Sequence, residues 1–218
     1  TGTISSTVAE SKTVSATIGG VLINATTTVT VTPGPVNAAQ STVTVSPASI
    51  AAGGPTRTIT VTARDANSNV IPGATVVLAA TGTGNTLTPA GGVTDGGGVA
   101  TGTLSSTATG GKTVTATING VAITQAPVVT VVPGPVSATT STLTATSPIT
   151  AGGAGSTITV TARDANSNVI SGATVVLAAT GTANTLTDTT SLTSGAGVAT
   201  ATLTSTGAGA KGISATIN

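Results

Sequence analysis

The feature that most constrains the fold of this chain is an internal repeat of about one hundred residues. Residues 58–88 read TITVTARDANSNVIPGATVVLAATGTGNTLT, and residues 157–187 repeat that run with only Pro72 replaced by Ser171 and Gly84 by Ala183. The tetrapeptide PGPV at residues 33–36 recurs at residues 133–136. A unit of this length is longer than a solenoid repeat and matches one complete β-sandwich. The repeat therefore predicts whole domains in tandem.

The residue types in the repeat favour strands over helices. The chain has no Phe, Trp, Tyr, His, Cys or Met, so its apolar residues are Val, Ile, Leu and Ala. β-branched side chains fit a pleated surface, whereas the strong helix formers Glu, Lys, Gln and Arg are scarce. Gly and Pro recur at the short intervals that turns between strands require. We predict an all-β fold of tandem immunoglobulin-like β-sandwich domains joined end to end.

Alternation of apolar and polar residues predicts the strands of one unit. Residues 58–63, TITVTA, place their apolar side chains on one face. The predicted strands are Ser41–Ser46, Thr56–Arg64, Ala74–Ala80, Asn85–Thr88, Val99–Ser105, Lys112–Ile118 and Val128–Val132. Turns are predicted at residues 52–55, 65–69, 95–98, 110–111 and 119–120, the last an Asn-Gly pair typical of tight hairpins. The predicted core consists of small branched side chains, among them Val61, Val76, Leu78, Leu104, Val114 and Ile118.

Counted from the PGPV segments, the chain divides into three predicted pieces. Residues 1–33 are the C-terminal part of one repeat, residues 34–133 a complete repeat (the middle repeat), and residues 134–218 a repeat lacking its last strand (the third repeat). Residues 20–33 match the strand that the third repeat lacks, so head-to-tail strand donation is one interpretation. Because residues 1–19 duplicate the stretch that ends at Asn218, we favour an ordered window from a longer array.

Three segments of the middle repeat resemble a known family. Residues 65–76 (DANSNVIPGATV), 93–104 (VTDGGGVATGTL) and 111–117 (GKTVTAT) are similar, in this order, to segments of bacterial Ig-like domains of the Big-1, invasin/intimin type. Ser68 stands where that family more often has Gly, and residues 194–197 lack an Asp equivalent to Asp95. The resemblance implies a surface-exposed bacterial protein whose stacked sandwiches form a stiff stalk, and it carries over no binding specificity.

The best candidate ligand site is Asp65-x-Asn67-x-Asn69, which recurs at residues 164–168. It resembles the first three ligands of a calcium loop, but the sixth and twelfth positions, where such a loop needs Gly and Glu, are both Val here. We therefore interpret the segment as an Asx turn, with Arg64 capping its carbonyl groups or pairing across strands. We expect no metal site and no cofactor.

The remaining residues argue against catalysis and nucleic-acid binding. Without His, the many Ser and Thr hydroxyls lack the usual base, and Asp65 and Asp95 are thirty residues apart. We therefore predict that the protein is not an enzyme and has no catalytic residues. The six cations are dispersed and no aromatic ring is present for stacking. No apolar run approaches the roughly 20 residues that span a bilayer, so we expect no membrane insertion of this segment.

Repetition without a unique segment predicts a structural function, and the family resemblance implies that it is exerted at the bacterial cell surface or in an extracellular fibre. The expected function is that of a semi-rigid stalk or of a self-assembling filament or sheath component. The expected partners are neighbouring repeats and other copies of the same chain, because strand edges with so few charges are poorly protected from pairing. The alternative is an adhesin module that binds a host or surface ligand through variable loops. Residues 89–92 and 188–191, where the copies diverge most, are the candidates for such a loop.

Overall fold

The computed structural model describes residues 1–89 and 91–218. Within these residues all regular structure is β-strand, which confirms the predicted fold class. Residues 1–33 contain β1 (Ser11–Val14), β2 (Thr17–Ile18), β3 (Val21–Leu22) and β4 (Thr27–Thr30). Residues 34–133 contain β5 (Thr42–Ser46), β6 (Ser49–Ala51), β7 (Arg57–Thr62), β8 (Thr75–Ala80), β9 (Asn85–Thr88), β10 (Gly91–Val93), β11 (Val99–Ser106), β12 (Gly110–Ile118), β13 (Val121–Ala122) and β14 (Val128–Val132). Residues 134–218 contain β15 (Thr142–Ala145), β16 (Ser156–Thr161), β17 (Thr174–Ala179), β18 (Asn184–Leu186), β19 (Thr190–Leu192), β20 (Val198–Ser205) and β21 (Ile213–Ile217).

The middle and third repeats each form two sheets, in which most strand pairs are antiparallel and β6 runs parallel to β14. In the middle repeat one sheet has the order β5-β7-β11-β9 and the other the order β10-β8-β12-β14-β6, with β13 paired to β12. The third repeat has sheets β15-β16-β20-β18 and β19-β17-β21. In residues 1–33, β1 pairs with β4 and β2 with β3. Because β7 and β16 occupy the same place in their sheets, the two copies share one topology.

The central strands, such as β8, β16 and β20, alternate between buried and more exposed side chains as a sandwich requires. All six residues predicted for the core of the middle repeat are buried. In the third repeat the core consists of Ile158, Val160, Val175, Leu177, Ala199, Ala201 and Leu203. Ile118 is fully buried, whereas Ile18, at the same position of its copy, is 70% exposed.

All seven predicted strands match observed ones to within two residues at each end. The Asn-Gly hairpin is confirmed: Asn119 and Gly120 have positive φ angles, and Ile118 pairs with Val121. One predicted turn is wrong, because residues 110–111 belong to β12. Glycine has no side chain to break the pairing, and a Cβ at Gly111 would only touch Val128. The short strands β6, β10 and β13 were not predicted.

The chain divides into two compact units. Unit 1 comprises Thr1–Ser49, Thr56–Ser105 and Gly111–Thr130, and unit 2 comprises Ile50–Pro55, Ser106–Gly110 and Val131–Asn218. Unit 2 thus contains two loops of the middle repeat together with the whole third repeat. The predicted limits of the three sequence pieces stay predictions. Within the described residues, no helix has the length and apolarity needed to cross a membrane.

Candidate functional site at the repeat junctions

The repeated Asp-x-Asn-x-Asn segment forms a tight turn after β7 and again after β16, which we call the junction turn (residues 65–69 and 164–168). Asp65 is buried, and its Oδ1 accepts hydrogen bonds from the backbone N–H groups of Asn67 and Asn69, both at 2.9 Å. This is the predicted Asx turn. Ser68 has a φ of 66°, the left-handed conformation for which the family more often uses Gly. Arg64 Nη1 donates to the Ser68 carbonyl at 2.6 Å, so Arg64 caps a carbonyl of the turn.

The second carboxylate oxygen connects the turn to the PGPV segment. Asp65 Oδ2 accepts from Asn69 Nδ2 and from the backbone N–H of Gly34, each at 2.8 Å. In the second copy, Asp164 Oδ2 accepts from Asn168 Nδ2 at 2.8 Å and from the N–H of Gly134 at 2.9 Å. Each buried carboxylate therefore accepts four hydrogen bonds from protein N–H groups, as a buried charge requires.

These donors lower the pKa of both carboxyl groups below the ordinary value of 3.8. For Asp65 the largest cause is the hydrogen bond from the Asn69 side chain, followed by that from Gly34, and they outweigh the opposing effect of burial. For Asp164 the largest single effect is burial, which raises the pKa, but the four hydrogen bonds together outweigh it. Hydrogen bonds to the charged form stabilise that form, so both groups are carboxylates at neutral pH.

The Asn at the last position of the turn also binds a loop of the preceding sequence piece. Asn69 Nδ2 donates to the Thr7 carbonyl at 2.8 Å, and Asn69 Oδ1 accepts from the Ala9 N–H at 2.9 Å. We call residues 6–9 and their copies the receiving loop. Ser6 closes this loop, since its hydroxyl donates to the carbonyl of Val8 and accepts from the N–H of Val8. The side-chain amide thus pairs with the backbone of two residues, as a neighbouring strand would.

The second junction repeats this arrangement with a different receiving loop. Asn168 Nδ2 donates to the Thr107 carbonyl at 2.9 Å, and Asn168 Oδ1 accepts from the Thr109 N–H at 3.3 Å. Ser106 closes the loop as Ser6 does. Val8 and Ala9 of the first loop are replaced by Ala108 and Thr109. Because the same bonds form with different side chains, the junction turn recognises backbone groups.

In unit 2, the β6–β7 loop also lies against the junction turn of residues 164–168. Gly53 has a φ of 70°, and a Cβ at Gly53 would lie only 2.6 Å from Asn166 Nδ2. The middle Asn of the turn therefore packs directly over a glycine of the β6–β7 loop. Gly134 packs in the same region, since a Cβ there would lie 3.0 Å from the carbonyl oxygen of Ala52.

Sequence reasoning identified the turn but missed its partners. The signals that were available are Ser6 and Ser106, which recur at the same interval as Gly34 and Gly134. Within residues 1–89 and 91–218, no group of three acidic, His or Cys side chains is placed to hold a metal ion. That the chain has no metal, cofactor or catalytic site stays a prediction.

The departure from the family pattern at residues 194–197 changes the side-chain acceptor of a different turn but leaves its hydrogen-bonding pattern in place. Asp95 Oδ1 accepts from the N–H groups of Gly97 and Val99 at 2.9 Å. In the third repeat, Ser194 Oγ accepts from the equivalent N–H groups of residues 196 and 198 at 3.3 Å. A neutral hydroxyl therefore replaces the carboxylate at a longer distance.

The candidate variable loop lies at the edge of a sheet in each copy. Of residues 89–92, Ala90 lies outside the described residues. β10 pairs with β8, and β19 pairs with β17, so that Gly91 opposes Val77 and Thr190 opposes Val176. Val93 and Leu192, which end these edge strands, are each about two-thirds exposed. The divergent residues thus lead into an edge strand and include its first two residues, and the strand ends in an exposed apolar side chain.

The two-sheet repeats define the chain as a tandem immunoglobulin-like protein. The family model "Invasin, domain 3" matches residues 37–134, and the model "Bacterial Ig-like domain (group 1)" matches residues 138–218. The chain belongs to the bacterial Ig-like family of the Big-1, invasin/intimin type, as its sequence motifs predicted. None of the curated proteins matches it in sequence.

Solved structures of two bacterial proteins are similar to this chain. The Escherichia coli adhesin FdeC is 26% identical with a TM-score of 0.62, and the match covers 96% of this chain and 70% of the FdeC chain. InvD of Yersinia pseudotuberculosis is 30% identical with a TM-score of 0.55, and the match covers 82% of this chain. The chain spans about half of that InvD structure, 52%.

Proposed function

We propose that this chain is a structural repeat region of a bacterial cell-surface protein of the adhesin type, in which junction turns make a semi-rigid stalk. The observation that carries the proposal is the junction turn itself. In both copies it binds a linker glycine and a loop of the preceding repeat through the same atoms. The family assignment and the adhesin FdeC among the similar structures support the cell-surface location.

The hydrogen bonds of the junction act on the parts of the chain that would otherwise flex. A linker of three or four residues normally leaves neighbouring domains free to move unless their interface holds them. Here Pro33 and Pro35 fix their own φ angles, and the N–H of Gly34 between them is bound to a buried carboxylate. Asn69 adds two bonds to the receiving loop, each contributing about 1 kcal/mol. The linker and both sides of the junction are therefore restrained together.

A binding function at the edge of each sandwich is the second candidate. What favours it is the divergence of residues 89–92 from residues 188–191, directly after residues 58–88, which differ from their copy at only two positions. In this proposal the scaffold stays constant while the edge loop selects a ligand. The test exchanges residues 89–92 with residues 188–191 and measures ligand binding by each repeat. If this function is present, the binding should move from one repeat to the other with the exchanged residues. If it is absent, the exchange should leave binding unchanged.

We also propose that copies of the chain associate laterally through the outer face of the sheet that contains β8, β12 and β14. Val77 on β8 and Val128 on β14 are each 53% exposed. Lys112, the only charged residue in these three strands, is buried, and its Nζ donates to the Thr83 carbonyl. A face of exposed valines and threonines without an exposed charge offers no like-charge repulsion against a second copy.

Small-angle X-ray scattering of the chain in solution tests the stalk. A semi-rigid array gives a cross-section and a maximum dimension that one extended conformer reproduces. The matched variant carries Asn69→Ala and Asn168→Ala, which remove the side-chain bonds to both receiving loops. We expect this variant to need an ensemble of conformers. Scattering from the unaltered chain that already requires a freely jointed ensemble would overturn the proposal.

A further inference from the structure

The end of the third repeat carries a receiving surface like the two that are already occupied. We infer that the loops of residues 150–153 and 205–208 form a docking surface for the junction turn of a further Ig-like repeat joined in tandem. The occupant is defined by its chemistry: a Pro-Gly linker followed by a buried Asp and the Asn-x-Asn pair of the turn. This inference rests on the proposed stalk function and names the partner of the surface.

The first loop of this surface already has the required shape. The N–H of Gly152 donates to the Ser205 carbonyl at 2.9 Å, as the N–H of Gly53 donates to the Ser106 carbonyl at 2.9 Å. The N–H of the following glycine bonds back within the loop in both copies. Gly152 and Gly53 have φ angles of 74° and 70°. The backbone that receives the middle Asn of a junction turn is therefore already in place.

The second loop is closed in the same way as the occupied receiving loops. Ser205 Oγ donates to the Gly207 carbonyl at 3.0 Å and accepts from the Gly207 N–H at 3.2 Å. In the middle repeat the matching distances between Ser106 and Ala108 are 3.1 and 3.3 Å. Thr206 and Ala208, which correspond to the two residues that pair with Asn168, are both exposed. Their carbonyl and N–H groups are the expected partners of an Asn side-chain amide.

The two surfaces differ in what lies over the glycine. A Cβ at Gly53 would collide with the Asn166 side chain, whereas a Cβ at Gly152 would meet nothing within 4 Å. Beside it is a recess of about 140 Å³, lined in part by Ala151, Ser205 and Gly207. The position that Asn166 fills in the occupied surface is open here. The chemistry of recognition is backbone to amide, so the change from Ala108 to Gly207 does not alter it.

A lengthened chain tests the inference. Residues 120–218 are added after Asn218, which stands at the position of Asn119, so the added sequence continues the repeat pattern. Hydrogen exchange of the Ala208 amide is compared between the present chain and the lengthened one. We expect exchange to slow at least tenfold on lengthening. Changing the added copy of Asn168 to Ala should remove that protection, whereas changing the added copy of exposed Thr189 to Ala should not.

The same spectra separate failure of this inference from failure of the stalk proposal. The amides of Ala9 and Thr109 report the two occupied junctions in every variant, and the amides of the added strands report whether the added repeat folds. Protected Ala9 and Thr109 with unchanged Ala208 in a folded, lengthened chain would overturn the docking surface alone. Rapid exchange at Ala9 and Thr109 in the present chain would overturn the proposal that the junction turns hold the receiving loops, and with it the stalk. Protection of Ala208 that survives the Asn-to-Ala change would also contradict the inference.

Discussion

Replacing Asn69 with alanine isolates the contribution of the side-chain amide to one junction. The change removes the bonds to the Thr7 carbonyl and the Ala9 N–H, at 2.8 and 2.9 Å, together with the bond to the Asp65 carboxylate. Each neutral bond contributes about 1 kcal/mol net. The two bonds to the receiving loop therefore hold it by about 2 kcal/mol, which corresponds to about a 30-fold change in the opening equilibrium. The turn itself should persist, because Asp65 keeps three backbone donors.

Hydrogen exchange of the Ala9 amide measures this opening directly. We expect it to accelerate by about 30-fold in Asn69→Ala, while amides in the core strand β7 change little. Asn67→Ala is the matched control, because Asn67 is exposed on the same turn and bonds to Asp65 through its backbone. Its Ala9 exchange should stay within about twofold. Equal acceleration in both variants, or none in Asn69→Ala, would refute the reasoning.

The folded-state pKa of Asp65 and Asp164 lies below 3.8, so the stability that these carboxylates contribute is present above the unfolded-state pKa and is lost as the pH falls through the lowered values. Denaturation measured from pH 5 to pH 2 should show this loss. Asp164→Asn should reduce the slope of unfolding free energy against pH below about pH 4. Ser194→Asp should shorten two 3.3 Å bonds and stabilise the chain to urea by about 0.5–1 kcal/mol, whereas Asp95→Ser should do the reverse. Ile118→Ala should cost about 2–5 kcal/mol of unfolding free energy and Ile18→Ala less than about 0.5 kcal/mol, since only Ile118 is fully buried. Sedimentation velocity should show concentration-dependent association that Val77→Lys with Val128→Lys abolishes, since both valines are exposed on the proposed face; a monomer at all concentrations would contradict lateral assembly.

The sequence predicted the parts of the fold that local pattern determines. β7, β8 and β11 were located because apolar residues alternate along them, and the Asn119-Gly120 hairpin because both residues accept a positive φ. β6, β10 and β13 were missed because two or three residues are too few to show a period. Gly110 and Gly111 were assigned to a turn from composition, although their neighbours in β12 hold them in the sheet.

The junction turn shows where local reasoning stops. Its internal Asx bonds follow from residues four positions apart, and the sequence predicted them. Its partners lie about sixty positions away at Thr7 and Ala9, and thirty-one at Gly34. No periodicity in the sequence connects these segments, because backbone atoms make most of the contacts and leave no compositional trace. The sequence trace that these partners do leave is the recurrence of Ser6 and Gly34 one repeat later, as Ser106 and Gly134.

Pulsed electron–electron double resonance across the first junction tests most directly the central claim that the junction turn holds neighbouring repeats in one arrangement. The chain has no cysteine, so Thr28→Cys and Thr101→Cys, at exposed positions on β4 and β11, place one spin label on each side of the linker. If the junction turn restrains the two pieces, the distance between the two spin labels should have a single narrow distribution. This distribution should broaden when Asn69→Ala is added and should stay narrow with Asn67→Ala. A broad distribution in the chain with an intact junction turn would contradict the account.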